Sequence, residues 1–313
     1  MKAFVFPGQG SQKIGMGKEM AENFTSARMV FEEVNDALSF DLYELMTQGD
    51  AAELNKTANT QPALMATSLA ALRALEEASG QKIEELAHMV AGHSLGEYSA
   101  LAAVDAISVG DAAKLLRLRG QAMQRAVSEG VGAMAVVLGL NFDDVDAIAK
   151  EATLIMDNIV VAANDNADGQ VVLSGYKAAV EKAGELAKER GAKRVLPLPV
   201  SVPSHSPLMS PAFNEMKEAL AEITFKPLKL PLIANVTAQK VEDIADMPDL
   251  LVQQLVDTVR WRESVQYMAS QDIDCLVEIG SGKVLSGLTR RINQDLASAN
   301  IENPTDIDKF LNG

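Results

Sequence analysis

One segment limits the folds open to this chain more than any other. It runs Met89-Val90-Ala91-Gly92-His93-Ser94-Leu95-Gly96-Glu97-Tyr98. Met89 to Ala91 are apolar and can end a buried strand, while Leu95 to Val104 can open a helix. Between them Gly92-x-Ser94-x-Gly96 has the form of a nucleophile elbow, a sharp strand-to-helix turn with a serine at its tip. Glycines at 92 and 96 remove the Cβ atoms that would collide as strand and helix close on each other, and the serine is held in a strained conformation. The turn pushes the Ser94 hydroxyl out at a helix N-terminus, where unpaired N–H groups and the helix dipole favour negative charge. That suits a serine that attacks a carbonyl. The plainer alternative is a glycine-punctuated turn with Ser94 as a helix cap.

The chain has 313 residues, 48% of them hydrophobic, enough for one large domain or for a large domain with a smaller insert. A single cysteine, Cys275, excludes an internal disulfide framework and fits a reducing cytoplasm. Lys2 to Phe6 reads as a first strand rather than a signal peptide, and no run approaches the roughly 20 apolar residues of a membrane span. The net charge of −15 disfavours general nucleic-acid binding. Local basic groups could still meet an anionic partner: Lys188, Arg190, Lys193 and Arg194, and separately Lys283, Arg290 and Arg291. Solvated surface charge is the plainer reading of each.

After the first strand, Pro7-Gly8-Gln9-Gly10-Ser11-Gln12 is a glycine-rich loop. Lys13 stands where a dinucleotide fingerprint requires glycine, and no Gly-Lys-Ser/Thr follows, so a nucleotide loop is disfavoured. A loop that offers backbone N–H groups to an oxyanion fits better. Amphipathic helices are expected over 18 to 56, then a long helix from Thr60 with Pro62 in its first turn, and a helix capped by Ser108 that runs to about Ser128. From Gly132 the expected order is strand, helix, strand, strand, helix, strand, ending near Leu196, which is the ferredoxin-like pattern. Residues 130–198 therefore read as an inserted ferredoxin-like subdomain, and residues 1–129 and 199–313 as a larger α/β-hydrolase-like one. The larger part resumes with a loop from Val200 to Ser206, a helix over Pro207 to Ile223, a strand over Leu230 to Asn235, helices over Pro248 to Thr258 and Trp261 to Ser270, and a strand over Ile273 to Glu278. The tail from Ser298 reads as polar and mobile.

A serine nucleophile needs a base, and the chain has three histidines. His93 adjoins Ser94 and should point away from its hydroxyl, packing or hydrogen bonding behind the turn. His88 precedes the strand, at the surface. His205 remains, in Val202-Pro203-Ser204-His205-Ser206-Pro207, a loop stiffened by two prolines. A backbone carbonyl can orient such a histidine through Nδ1–H, so no acidic third member is required.

At this point the residues resemble the malonyl-CoA:acyl-carrier-protein transacylases of fatty-acid synthesis and the related acyltransferases of polyketide synthesis. The resemblance spans nearly the whole chain. It rests on Phe6-Pro7-Gly8-Gln9-Gly10-Ser11-Gln12, Gly92-His93-Ser94-Leu95-Gly96-Glu97-Tyr98, Leu118-Arg119-Gly120-x-x-Met123, Gly132-Ala133-Met134-Ala135-Val136, Pro203-Ser204-His205-Ser206-x-Leu208-Met209, Gln254-Leu255 with Val259-x-Trp261, and Glu278-x-Gly280-x-Gly282-x-Val284-Leu285. It implies a seryl ester on Ser94, His205 as base and then acid, and an oxyanion hole from the backbone N–H groups of Gln9 and Leu95. It implies that Arg119 grips the free malonyl carboxylate with its planar fork. A snorkelling surface arginine is the alternative there. The main-chain carbonyl of Gln254 would orient the histidine, so that its side chain need not matter. Asn164 and Asn166 are candidates for the cleft wall.

The resemblance further implies ping-pong transfer of malonyl from coenzyme A to the phosphopantetheine thiol of acyl-carrier protein. No metal and no permanently bound cofactor are expected, malonyl-CoA being the substrate. The partners are then the coenzyme A thioester and acyl-carrier protein, with no nucleic acid and no membrane, and the expected state is a cytoplasmic monomer. A polyketide acyltransferase, a serine thioesterase and a non-catalytic carrier-docking protein are the alternatives. Arg119 speaks against the thioesterase, since a simple esterase need not hold a second carboxylate. The chain departs from common family patterns at Thr258, at Ser281 within Gly280-Ser281-Gly282-Lys283, and in Asn166-Ala167-Asp168-Gly169-Gln170, which lacks a proline.

Overall fold

The structure is a computed structural model that describes residues 1–200 and 202–312. Two sheets organise it. The first has strand order β7-β2-β1-β8-β9, all parallel, from β1 (Lys2–Phe6), β2 (Met89–Gly92), β7 (Leu232–Ile233), β8 (Cys275–Ile279) and β9 (Ala297–Ile301). The second has order β4-β5-β3-β6, all antiparallel, from β3 (Gly132–Leu138), β4 (Val160–Ala167), β5 (Gln170–Tyr176) and β6 (Arg194–Pro197).

The parallel sheet follows from its sequence. Ala3, Phe4, Val5 and Phe6 are all buried, as are Val90 and Ala91 beside them in register. Strands apolar on both faces need helices on both faces. One face is covered by the Thr57–Ser79 helix, buried over most of its length, with the Gly96–Ala103 and Val109–Ala126 helices; Trp261, Val265 and Leu285 pack on the other. Ser108 caps the Val109–Ala126 helix as expected, its Oγ accepting from Asp111 N at 3.0 Å.

The second sheet is the expected β-α-β-β-α-β unit. Its Phe142–Met156 and Lys177–Glu189 helices pack on one face around Val137, Ile148, Val171 and Leu173. The opposite face carries Met134, Ala163 and Val172 and looks into the cleft. Strand β4 is tied to the larger unit at this edge. Asp165 N donates to Val259 O and Val259 N to Ala163 O, both at 2.9 Å. Arg262 Nε meets both Asp165 carboxylate oxygens at 3.1 and 3.0 Å.

Several expectations change. The tail is structured, not mobile. β9 pairs with β8, Ile301 and Ile307 are fully buried, and in the Pro304–Asn312 helix Phe310 meets Phe4 edge-on at 6.1 Å. A few apolar residues at the right spacing close the open edge of the sheet despite polar surroundings. The long helix starts at Thr57, so Pro62 lies inside it, and the Thr60 hydroxyl donates to Leu54 O at 2.5 Å instead of capping the helix. The 207–223 segment opens as a 3-10 turn (Pro207–Ala212) before its α-helix (Phe213–Ala221), since Pro211 cannot donate an α-helical hydrogen bond. The strand expected over Leu230 to Asn235 is cut to two residues, because Ala234 N turns back to Gln239 O and Asn235 goes to the elbow.

Candidate active site

Strand β2 ends at Gly92, and the next helix starts at Gly96. Ser94, between them, has φ +53°, the left-handed region that an L-residue occupies at a cost of about 1–3 kcal/mol. The glycines are obligatory. A Cβ at Gly92 would lie 1.9 Å from the backbone of Gly96, and one at Gly96 would lie 2.2 Å from Phe6 O. Asn235, fully buried, holds the strained turn from below. Its Oδ1 accepts from Ser94 N at 2.7 Å, and its Nδ2 donates to Gly92 O at 2.6 Å.

His205 reaches this serine from a loop pinned by the Ser206 hydroxyl, which donates to Pro203 O at 2.7 Å. Its Nε2 lies 2.8 Å from Ser94 Oγ and its Nδ1 2.7 Å from Gln254 O. A carbonyl only accepts, so Nδ1 carries the proton and the bare Nε2 accepts from the serine hydroxyl. Burial, with the Arg119 charge next in weight, pushes the imidazole down to about 3, outweighing the Gln254 hydrogen bond that favours the cation. The neutral base is thus present at physiological pH.

Arg119 projects from the Val109–Ala126 helix and is 1% exposed, which excludes a snorkelling surface role. Its Nη1 donates to Gln61 Oε1 at 2.8 Å; its Nη2 donates to Gln254 Oε1 at 2.9 Å and to Ser94 Oγ at 3.3 Å. Every one of these acceptors is neutral. Among the described residues no carboxylate forms an ion pair with Arg119, and its Nε has no acceptor. Burial holds its pKa below the ordinary arginine value. A guanidinium in this state, within reach of the serine, can take an anionic group of a bound molecule.

The sequence reading used only the carbonyl of Gln254, but in the structure its side chain is hydrogen bonded as well. Nε2 donates to Glu97 Oε2 at 2.6 Å and to Ser94 O at 3.0 Å, while Oε1 receives Arg119. One glutamine thus ties the histidine, the arginine and the elbow together. Gln9 and Leu95 line the same cavity, and among the described residues neither backbone N–H is paired with an acceptor. Ser94 N is spent on Asn235, so it is not available to a ligand. Gly8 lets the Gln9 loop lie against the elbow, since a Cβ there would sit 2.8 Å from His93 O.

Asn164 and Asn166 both line the cavity, whose volume is about 400 Å³. His93 turns from Ser94 and shares a hydrogen bond of 2.8 Å between its Nε2 and Asn166 Oδ1, with its ring 5.6 Å from that of Trp261. His88 is exposed at the strand start. Of the basic groups, Arg291 donates to Gln170 Oε1 at 2.5 Å, and Gln170 and Val284 line the cavity rim. Arg190 is paired with Glu151 on the smaller unit. Among the described residues no group of three or more histidine, cysteine or acidic side chains could hold a metal ion.

Sequence reasoning missed Gln61, Glu97 and Asn235. Glu97 carried a signal, an acid in the first turn of an otherwise apolar helix, and Gln61 another, an amide within a helix buried nearly throughout. Asn235 carried none, because its task depends on where a short strand ends.

This geometry agrees with what the chain is similar to. A family profile described as "Acyl transferase domain" matches residues 3–303. A protein of Salmonella typhimurium named malonyl CoA-acyl carrier protein transacylase is 44% identical over 309 residues, 99% of this chain and 98% of that one. The crystal structure of an acyl-carrier-protein-S-malonyltransferase from Bartonella henselae matches at 49% identity and TM-score 0.96, covering 99% of this chain and 98% of that one. A malonyl-transacylase solved in complex with a type II PKS acyl-carrier protein matches at 43% identity and TM-score 0.95, covering 99% of each chain. The chain belongs to the acyl transferase family and, within it, to the malonyl-CoA:acyl-carrier-protein transacylases.

Proposed function

We propose that this chain moves a malonyl group from coenzyme A to the phosphopantetheine thiol of acyl-carrier protein, by a ping-pong route through an ester on Ser94, in fatty-acid biosynthesis. The observation that carries this reading is the Ser94 Oγ–His205 Nε2 contact of 2.8 Å with Arg119 Nη2 3.3 Å from the same hydroxyl. A nucleophile, its base and a carboxylate receptor meet at one point.

In the first half-reaction Ser94 Oγ attacks the thioester carbonyl as its proton passes to His205 Nε2. Charge developing on the carbonyl oxygen falls to the Gln9 and Leu95 N–H groups. The Gln254 carbonyl keeps the imidazolium oriented through Nδ1–H. The C–S bond breaks, His205 returns the proton to the sulfur, and coenzyme A leaves. In the second half-reaction the carrier's thiol attacks the ester carbonyl, His205 takes its proton, and Ser94 leaves with that proton. Throughout, Arg119 grips the free carboxylate, so an acyl group without one is poorly held. Residues 130–198 act as one subdomain and 1–129 with 199–313 as the other, their cleft holding the pantetheine arm beside Asn164 and Asn166. We take the working enzyme to be a cytoplasmic monomer. Among the described residues no helix is long and apolar enough to cross a membrane.

The test uses malonyl-CoA carrying a radiolabelled malonyl group. The isolated protein should retain the label on Ser94 and pass it to added holo carrier protein. Prompt release as free malonate would assign a hydrolase instead, and absence of label would assign a docking protein.

A further inference from the structure

We propose that Glu97 is the internal counter-charge of Arg119 in the empty site, and that it takes up one proton when a carboxylate-bearing acyl group docks on that guanidinium. This rests on the reading of Arg119 as the carboxylate receptor and extends it to the acid behind it.

Arg119 is 1% exposed and hydrogen bonded only to neutral groups. An isolated buried cation is expensive, so some anion should lie close. Glu97, also 1% exposed, is one amide away: Gln254 Nε2 donates to Glu97 Oε2 at 2.6 Å, and Gln254 Oε1 accepts from Arg119 Nη2 at 2.9 Å. Glu97 Oε2 also accepts from Asn235 N at 3.3 Å, whereas the buried Oε1 has no partner among the described residues. One oxygen is thus built to accept and the other is free to carry hydrogen.

The groups facing Glu97 narrow the assignment. Arg119, from the Val109–Ala126 helix, is the cation that acts on it. Tyr98, next in the chain, has its phenol pushed up to about 12 by burial and stays neutral. His205, beyond Arg119, is neutral as well. Gln254 and Asn235 contribute dipoles only. Burial lifts the Glu97 carboxyl to about 7, against the pull of those hydrogen bonds and of Arg119. The acid therefore stands near its titration point while Arg119 has no other anion.

Docking of a malonyl carboxylate on Arg119 puts a second anion into the same enclosed site. The balance then shifts in one direction. A proton from solvent binds Glu97 Oε1, an O–H bond forms, and the pair Arg119 cation and Glu97 anion becomes Arg119 cation and ligand anion. The site's summed charge is unchanged. An acyl group without a carboxylate brings no anion and draws no proton. Malonyl binding should accordingly strengthen as pH falls through the range where Glu97 is ionised in the empty enzyme.

The experiment is calorimetric titration of the full-length Ser94→Ala protein, which binds without transferring, with malonyl-CoA and with acetyl-CoA, in buffers of differing ionisation enthalpy. At pH 8 malonyl-CoA should draw up to about one proton and acetyl-CoA none, and near pH 6 the malonyl uptake should shrink as Glu97 becomes already protonated. In Ser94→Ala with Glu97→Gln the uptake should vanish while malonyl-CoA still binds more tightly than acetyl-CoA. Tighter malonyl binding without proton uptake, or uptake that survives in Glu97→Gln, overturns this proposal and leaves the Arg119 reading standing. Equal affinity for the two thioesters overturns both. Should the double variant fail to fold, the Ser94→Ala protein alone decides: its malonyl-over-acetyl preference should rise several-fold from pH 8.5 to pH 6.5, and a flat preference overturns the proposal.

Discussion

Ser94 and His205 stand 111 positions apart in the chain, both with left-handed backbone (φ +53° and +57°), and their side chains meet at 2.8 Å. Strain at both partners of one hydrogen bond means that the surrounding fold, and not local preference, sets the contact. Removing either partner should therefore stop the chemistry while the fold persists. Ser94→Ala should take no malonyl label. His205→Ala should slow label uptake by about 10²–10⁴-fold, the usual worth of a positioned base. Both are read by single-turnover labelling, with circular dichroism as the control for folding.

The depressed basicity of His205 gives a pH prediction with a definite sign. Its folded-state pKa of about 3 lies below the ordinary 6.5, so the base stays free well below neutrality. Malonyl loading should show no histidine limb between pH 8 and about pH 5.5. The profile is best taken in Glu97→Gln, where the neighbouring acid no longer titrates. A limb near 6.5 in that variant would contradict the account of burial. The same shift bears on stability. The unfolded chain binds this proton from about pH 6.5 downward while the folded chain resists it, so His205 contributes stability above that range and withdraws it as pH falls toward 3.

Arg119→Ala should lose the preference for malonyl over acetyl and gain acetyl transfer. A hydrogen-bonded charge contributes about 1.5–3 kcal/mol, which sets the expected fall in kcat/KM for malonyl-CoA at roughly 10–150-fold. Arg119→Lys should recover only part of it, because an ammonium cannot present two parallel donors. A side-by-side assay of both thioesters checks the point. An unchanged malonyl preference in Arg119→Ala would sink the clamp.

How far the sequence foretold this site depends on what kind of constraint each residue obeys. Ser94 was legible because a strand, a tight turn and a helix must follow one another in the chain, and the glycines that permit the turn sit beside the serine. His205 was legible by elimination among three histidines. The ferredoxin-like unit was legible because its strands and helices alternate with clear periodicity. Asn235 was not, for it is an amide at the end of a two-residue strand whose partners, Ser94 N and Gly92 O, lie more than 140 positions earlier. The Gln254 side chain was passed over for the same reason: its contacts are with the elbow (Ser94 and Glu97), Arg119 and Asn235, three separate segments of the chain. The tail was misread because polar composition outweighed the sparse apolar positions 301, 307 and 310.

That misreading has a measurable counterpart. Ile307 is fully buried in the Pro304–Asn312 helix, which lies against the core beside Phe4. Ile307→Ala should cost about 2–5 kcal/mol of unfolding free energy, as truncation in a packed core does. Chemical denaturation at equilibrium measures it. A truly mobile tail would give a change near zero.

Asn235 offers the sharpest separation between holding a site and doing its chemistry. Its side chain is hydrogen bonded to neither the serine hydroxyl nor the histidine, only to the backbone on either side of the turn and to the Gln254 amide at 3.4 Å. Asn235→Ala leaves a buried Ser94 N–H and Gly92 C=O unpaired, at a cost of about 1–3 kcal/mol for each stranded group. Part of that loss should be relieved by relaxation of the elbow out of its left-handed conformation, which moves the hydroxyl from His205 Nε2. The expected result is a protein less stable by about 2 kcal/mol whose kcat falls while its affinity for malonyl-CoA, set by Arg119, is largely retained. Asn235→Asp keeps the acceptor for Ser94 N but turns a buried carboxylate oxygen on Gly92 O close to Glu97, and should be no more stable than Asn235→Ala. If Asn235→Ala lowered stability and left kcat intact, the elbow would be held by its glycines alone.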